Sequence, residues 1–188
     1  MMQQSNRFLR ICSYNCRSVK KCLPEVAKLC NTHDFVLLQE HWLLPNELGL
    51  LNNIHPEFLS CGLSAVDVSS GLLLGRPYGG TAILYRKSLA EKLSVVHSEE
   101  SRITGLVMET CIGPFLLLNV YLPTNYGDDE SLERYVDCLS KLEALIVDTN
   151  CVHVMIAGDF NCDKTSRFFS ELQNFLTEFK LLMSDVSR

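Results

Sequence analysis

The segment that most constrains this chain runs Val152-His153-Val154-Met155-Ile156-Ala157-Gly158-Asp159-Phe160-Asn161. It begins as a short apolar run rich in Val and Ile, which reads as a buried strand. It ends in a carboxylate and a carboxamide two residues apart. An unpaired carboxylate is costly to take out of water, so such a group normally has a partner or a task. In extended backbone, residues i and i+2 project the same way. If strand geometry persists to Asn161, then Asp159 and Asn161 leave the rim of a sheet side by side, where a phosphate, a metal ion or a water can be held.

The rest of the chain supplies a sheet system for that strand. Residues 8–15 alternate, with Leu9, Ile11 and Ser13 on one face. Residues 18–31 carry Leu23, Val26, Ala27 and Cys30 at helical spacing, with Pro24 in the first turn. Residues 35–40 form a second apolar strand that also ends in a carboxylate, Glu40. Residues 41–79 are irregular and punctuated by Pro and Gly, with a short strand at 57–65. Strands follow at 81–86, 94–97, 103–110 and 115–121, the last two joined as a hairpin through the four residues Cys111-Ile112-Gly113-Pro114. Amphipathic helices occupy 131–148 and 166–182. Many strands with a few helices predict a layered α/β sandwich.

Length and composition agree with one domain able to bury a large core: 188 residues, 47% apolar and 21% charged. No apolar run approaches the roughly 20 residues of a membrane span, and residues 1–10 hold no signal-peptide core. The nine cysteines are scattered, odd in number and without a Cys-x-x-Cys pair. They read as free thiols of a reducing compartment rather than disulfides or a zinc site. An intracellular protein, nuclear or cytoplasmic, with no membrane association and no obligate oligomer, is expected. The net charge of −5 counts mildly against a nucleic-acid binder. Two local basic clusters, Arg17/Lys20/Lys21 and Arg86/Lys87/Lys92, are the contiguous candidates for a patch.

Four strand ends carry polar residues of a consistent kind: Tyr14-Asn15, Gln39-Glu40, Asn119-Val120-Tyr121-Leu122-Pro123 and Gly158-Asp159-Phe160-Asn161. Strand ends gathered on one rim are a common place for a site. Glu40 is a hard oxygen ligand suited to Mg²⁺, which keeps several waters and takes one or two carboxylates plus substrate phosphate. Asn15 can position Glu40 or a metal-bound water, and Asp159 can orient or deprotonate a nucleophilic water. Asn161 and the Tyr121 hydroxyl can donate to a phosphate oxygen as charge builds there. Together they suit metal-assisted phosphodiester hydrolysis. Taken singly, each has a plainer reading: Tyr121 a core aromatic, Asn15 a turn residue, Glu40 a surface acid, Asp159 and Asn161 an Asx-type turn.

In order, Ser-Tyr-Asn-Cys at 13–16, Leu-Leu-Gln-Glu-His-Trp at 37–42, Gly-Gly-Thr-Ala-Ile-Leu at 79–84, Asn-Val-Tyr-Leu-Pro at 119–123 and Ile-Ala-Gly-Asp-Phe-Asn at 156–161 resemble the endonuclease/exonuclease/phosphatase superfamily. Within it, the sequence looks most like the apurinic-type endonuclease domain of non-LTR (LINE-like) retrotransposons. The resemblance implies a four-layered α-β-β-α sandwich of two mixed β-sheets flanked by helices. It also implies Mg²⁺-dependent nicking of DNA (Mn²⁺ being the alternative ion), with a downstream reverse transcriptase in a full-length protein. It matches Asn15 and Glu40 to the metal site, Tyr121 to the phosphate contact, Asp159 to water activation and Asn161 to transition-state stabilisation.

Two departures accompany it. Relatives often place Asn directly after Tyr-x-Pro, where this chain has Thr124 and then Asn125; neither is assigned that role. The family's closing Ser-Asp-His motif is also unmatched, because Ser184-Asp185 precedes Val186. None of His33, His41, His55, His97 or His153 replaces it: His41 alternates to the far face, and His153 sits roughly 20 Å along its strand from Asp159. The expectation is one domain over 1–188, incomplete at its C-terminal side, a poor nuclease as it stands, with an unpaired sheet edge that favours association. The alternatives are another superfamily activity (a deadenylase, a sphingomyelinase-like esterase or an inositol-phosphate phosphatase) or a non-catalytic nucleic-acid-binding module.

Overall fold

The computed structural model describes residues 8–69, 71 and 75–184. Two four-stranded mixed sheets lie face to face. The first is drawn wholly from the earlier half of the chain: β1 (Ile11–Asn15), β2 (Phe35–Gln39), β3 (Phe58–Leu63) and β4 (Thr81–Arg86), in the order β1-β2-β4-β3. The second is drawn from the later half: β5 (Leu93–Val96), β6 (Ile103–Thr110), β7 (Gly113–Tyr121) and β8 (His153–Asp159), in sequence order. Each sheet has one parallel pair at an edge, β1 with β2 and β7 with β8. Each of those pairs is crossed by a helix, α1 (Leu23–Thr32) and α2 (Asp129–Thr149), as a parallel connection requires. The last helix, α3 (Arg167–Glu178), packs beside α2.

The period-two alternation of the strands builds the layers. Val36 and Leu38 face α1. Phe35 and Leu37 turn inward to meet Leu106, Met108 and Leu117 of the other sheet. Leu116, Leu118 and Val120 face α2 and α3. The result is the α-β-β-α sandwich expected. Each large apolar side chain so buried contributes roughly 1.5–3 kcal/mol. Among the described residues no helix is long and apolar enough to cross a membrane.

The inward-facing layer changes character at one end. Continuing the inward parity brings Gln39 in β2, Thr81 in β4, Thr104 in β6 and Asn119 in β7, all buried. They join the sheets by hydrogen bonds. Asn119 accepts from Gln39 Nε2 at 2.6 Å and donates to the carbonyls of Leu38 and Ala82 at 2.9 Å each. Thr81 and Thr104 hydroxyls meet at 2.7 Å. Polar groups this deep are tolerated because each is paired.

Several boundaries differ from the sequence expectation. The hairpin between β6 and β7 is tighter, since Gly113 pairs with Thr110 and leaves only Cys111 and Ile112 in the turn; Gly113, at φ 113°, supplies the conformation for it. The segment before α1 opens with a 3-10 turn, Val19–Lys21, and Pro24 falls in the first turn of α1. Helix α3 stops at Glu178 rather than 182. Lys180 adopts φ 54° and Leu181 N–H reaches back to the Leu176 carbonyl at 2.8 Å, which closes the helix end. Residues 1–7 and 185–188, with Asp185 and Val186 of the unmatched closing motif, lie outside the described residues.

Candidate active site

The carboxyl ends of the two parallel pairs face one another across the sandwich, and the predicted residues sit there. Asn15 ends β1, Glu40 follows β2, Tyr121 ends β7 and Asp159 ends β8. The Asn15 carboxamide nitrogen donates to Glu40 Oε1 at 2.8 Å and to Asp159 Oδ2 at 2.9 Å. A single amide thereby holds two carboxylates, one from each sheet, within two hydrogen-bond lengths of each other. The other atom of that amide, Asn15 Oδ1, is buried without a hydrogen-bond partner.

Glu40 is aimed by an unusual backbone. Strand β2 ends at Gln39, and Glu40 and Trp42 both take left-handed φ values, 55° and 56°. Non-glycine residues rarely adopt that region, and such conformations persist where surrounding bonds over-determine them. Here the Glu40 and His41 carbonyls accept from Ser18 and Val19 N–H, and Trp42 N–H donates to Gly79 O. The second Glu40 oxygen, Oε2, accepts from Trp42 Nε1 at 3.2 Å. His41 points the other way, as the alternation predicts. It is fully buried, accepts from Leu43 N–H through Nδ1 and donates from Nε2 to Leu63 O. Burial pushes its pKa down, so it stays neutral and structural.

On the opposite strand ends, Gly158 permits β8 to approach β7. Its φ is 142°, and a Cβ there would lie 2.0 Å from Val120 O. Extended geometry stops at Asp159, so Asn161 does not project beside it as a strand residue. Asn161 turns left-handed (φ 46°) and its N–H donates to Asp159 Oδ1 at 3.1 Å, the Asx-type turn. The Asn161 side chain is tied to the end of β7 instead: its Nδ2 donates to Leu122 O at 2.7 Å, which leaves one amide hydrogen uncommitted. The Tyr121 pKa is raised to about 12, first by burial and then by the negative charges of Glu40 and Asp159. The phenol is therefore a proton-bearing donor throughout the neutral range. Thr124 and Asn125 are exposed, and Asn125 Oδ1 caps Gly127 N–H.

A cleft of about 500 Å³ opens from Glu40 and Tyr121 between the loop before β4 and the start of α2. Three arginines line it, Arg76, Arg102 and Arg134. They lie far apart in sequence, so contiguous charge could not reveal them. One member of each contiguous basic cluster does other work: Lys20 pairs with Glu47, and Arg86 binds the buried Asp34 and the Cys30 carbonyl. Trp42, Gln39 and Asn119 were also without a role in the sequence reading. Their only signal was adjacency to Glu40 and Tyr121. Among the described residues no group of three or more His, Cys, Asp or Glu side chains is clustered for a metal. The nine cysteines are all free thiols.

Known proteins share this architecture. The model of the family described as Endonuclease/Exonuclease/phosphatase matches residues 12–178. No curated protein matches. A variant of the 3′ phosphatase NExo from Neisseria, solved bound to product DNA hairpin, superposes with TM-score 0.64 at 16% identity, over 89% of this chain and 71% of that one. The endonuclease domain of TRAS1, a telomere-specific non-LTR retrotransposon, gives 0.63 at 14% identity, over 96% and 74%. An AP endonuclease from Archaeoglobus fulgidus gives 0.56 at 19% identity, over 82% and 58%. At these identities the likeness is one of fold.

Proposed function

The chain belongs to the endonuclease/exonuclease/phosphatase family, and on that premise we propose that its strand-end site hydrolyses phosphodiesters of DNA with the help of a divalent cation, Mg²⁺ or, as the alternative, Mn²⁺. One observation carries the reading: the Asn15 amide clamps Glu40 and Asp159 together. Two carboxylates so close repel unless a positive charge or a proton joins them. The donor set fits a hard cation, since it is all oxygen, and Asn15 Oδ1 is buried and free to serve beside Glu40. When bound, such an ion would polarise the phosphate and neutralise developing charge.

The protein's own groups divide the remaining work. Asp159, held through Oδ1 by the Asn161 N–H and through Oδ2 by the Asn15 amide, orients a water and takes its proton on a remaining lone pair. The water oxygen bonds to phosphorus as the bond to the 3′ oxygen breaks, and that oxygen takes a proton from solvent water and leaves as a 3′-hydroxyl. Tyr121 and the spare Asn161 amide hydrogen donate to the phosphate oxygen that gains charge. The likeness to the TRAS1 endonuclease domain supports target-DNA nicking, in a longer protein joined to a reverse transcriptase, as the specific role.

None of the five histidines is placed among these residues: His41 is turned away, His153 begins β8, and His33, His55 and His97 lie in connecting segments. Slow turnover by residues 1–188 is the expectation that goes with this arrangement. The test is nicking of supercoiled plasmid at high protein concentration. Slow conversion to the open circle is expected with Mg²⁺, accelerated by added imidazole and lost with EDTA or in Glu40→Ala. Nicking indifferent to both EDTA and Glu40→Ala overturns the assignment. So does metal-independent DNA binding with no nicking, which favours a binding module. Turnover of poly(A) RNA, sphingomyelin or inositol phosphates in place of plasmid moves the chain to another branch of the family.

A further inference from the structure

The cleft beside the site has a composition that phosphate chemistry alone does not need. Of its lining residues Glu40 is the sole acid, against Arg76, Arg102 and Arg134, in a chain whose net charge is −5. Three positive charges against one negative thus line the cleft that opens from Glu40 and Tyr121. Two of the arginines are held ready by aromatic faces: Arg102 lies 5.2 Å from the centre of the Tyr121 ring and Arg76 lies 5.4 Å from that of Trp42. Such stacking fixes the guanidinium plane and leaves its edge for phosphate oxygens. Arg102 spends one donor on the Tyr121 carbonyl at 3.1 Å. Among the described residues Arg76 and Arg102 form no salt bridge, and Arg134 reaches only Glu130 at 3.7 Å.

Two further aromatics line the same cleft without being buried by it. Tyr78 is 58% exposed and Tyr126 is 73% exposed. A duplex hides its base faces inside the stack, whereas an unpaired nucleotide offers them to such rings. An inositol or sugar phosphate has no aromatic face to offer.

We propose that this cleft is a subsite for unpaired nucleic acid, with backbone phosphates on Arg76, Arg102 and Arg134 and an unstacked base on Tyr126, flanked by Tyr78. The proposal rests on the phosphodiesterase reading for its neighbour and makes it more specific. The preferred substrate carries a frayed, bulged or single-stranded nucleotide next to the cleavage point.

The only tryptophan of the chain, Trp42, lines the cleft and serves as an intrinsic probe. Fluorescence titrations in EDTA, where turnover plays no part, compare short oligo(dT), a duplex of the same length and inositol hexakisphosphate. Oligo(dT) binding is expected to fall with salt at a log–log slope of about −2, from three phosphate contacts at roughly 0.7 each. Arg134→Ala lowers that slope by about 0.7. Tyr126→Ala weakens oligo(dT) roughly tenfold with the slope unchanged, Tyr126→Phe restores it, and inositol hexakisphosphate is indifferent to both. Tyr126 is exposed, and thermal melts of the variants confirm that the fold survives. Duplex binding as tight as single strand, or oligo(dT) binding untouched by Tyr126→Ala, overturns the proposal. Intact oligo(dT) binding with failed nicking counts against the hydrolytic reading alone, and the reverse result counts against the subsite alone.

Discussion

Replacing Asn119 by Leu tests whether the polar end of the inter-sheet layer holds the two halves of the site in register. Asn119 is fully buried, and all three of its side-chain hydrogen bonds go to the opposite sheet: Gln39 Nε2, Leu38 O and Ala82 O. A neutral hydrogen bond contributes about 0.5–1.5 kcal/mol net, and a buried group left without its partner costs about 1–3 kcal/mol. Gln39 keeps Ser13 Oγ and Leu37 O as partners, so its loss is partial. Leu keeps the branching of the side chain and recovers some apolar burial, although its methyl groups are bulkier than the amide. The sum is a loss of about 2–4 kcal/mol. With a urea m-value of about 2 kcal/mol per molar, the unfolding midpoint falls by about 1–2 M. Asn119→Asp is worse, because it sets a carboxylate oxygen against the two carbonyls. A double cycle with Gln39→Leu should show coupling, since the two amides touch. A midpoint for Asn119→Leu within about 0.2 M of the parent, or additive effects in the cycle, would refute the idea that these amides lock the sheets together.

Gly158→Ala is expected to destabilise by about 2–5 kcal/mol, as positive-φ strain joins overpacking against the β7 backbone; an unchanged thermal midpoint contradicts it. The Tyr121 phenol should titrate near pH 12, read as the tyrosinate absorbance missing from Tyr121→Phe, and Glu40→Gln should bring it down. Because its folded-state pKa is raised above the ordinary phenol value of 10, its contribution to stability is whole below pH 10 and is lost as pH climbs from 10 to about 12; a folded-state titration at 10 removes the effect. Met155 is exposed on the edge strand β8, and Met155→Lys should reduce self-association measured by light scattering; an unaltered mass distribution places the association elsewhere.

Two apolar runs bounded by turn residues were legible to the residue, β4 at 81–86 and β6 at 103–110, whereas the alternating run at 8–15 becomes a strand only from Ile11. The four polar strand ends were legible too, because a carboxylate closing an apolar run has little other use. What was hidden lies across space rather than along the chain. Gln39 and Asn119 are 80 positions apart, and an inward amide in an apolar strand does not announce its partner. The reversal at Glu40 depends on acceptors and donors from Ser18, Val19 and Gly79, which no local propensity encodes. The Asx turn at Asp159 competes with continued strand, and both are compatible with Gly-Asp-Phe-Asn. Charge runs misled for a related reason: a run such as Arg86-Lys87 contains a structural arginine, whereas the arginines of the cleft are gathered only by folding.

Each sheet comes from one uninterrupted half of the chain, and the connection between them is the short segment Lys87–Lys92. A cut there would therefore leave two fragments that each own a complete sheet and a complete parallel pair, but only half of a working centre. Asn15 and Glu40 would travel with one, Tyr121, Asp159 and Asn161 with the other. The candidate site is thus assembled only where the two modules dock, and an engineered split at this segment would turn the association of any two attached partners into its reconstitution.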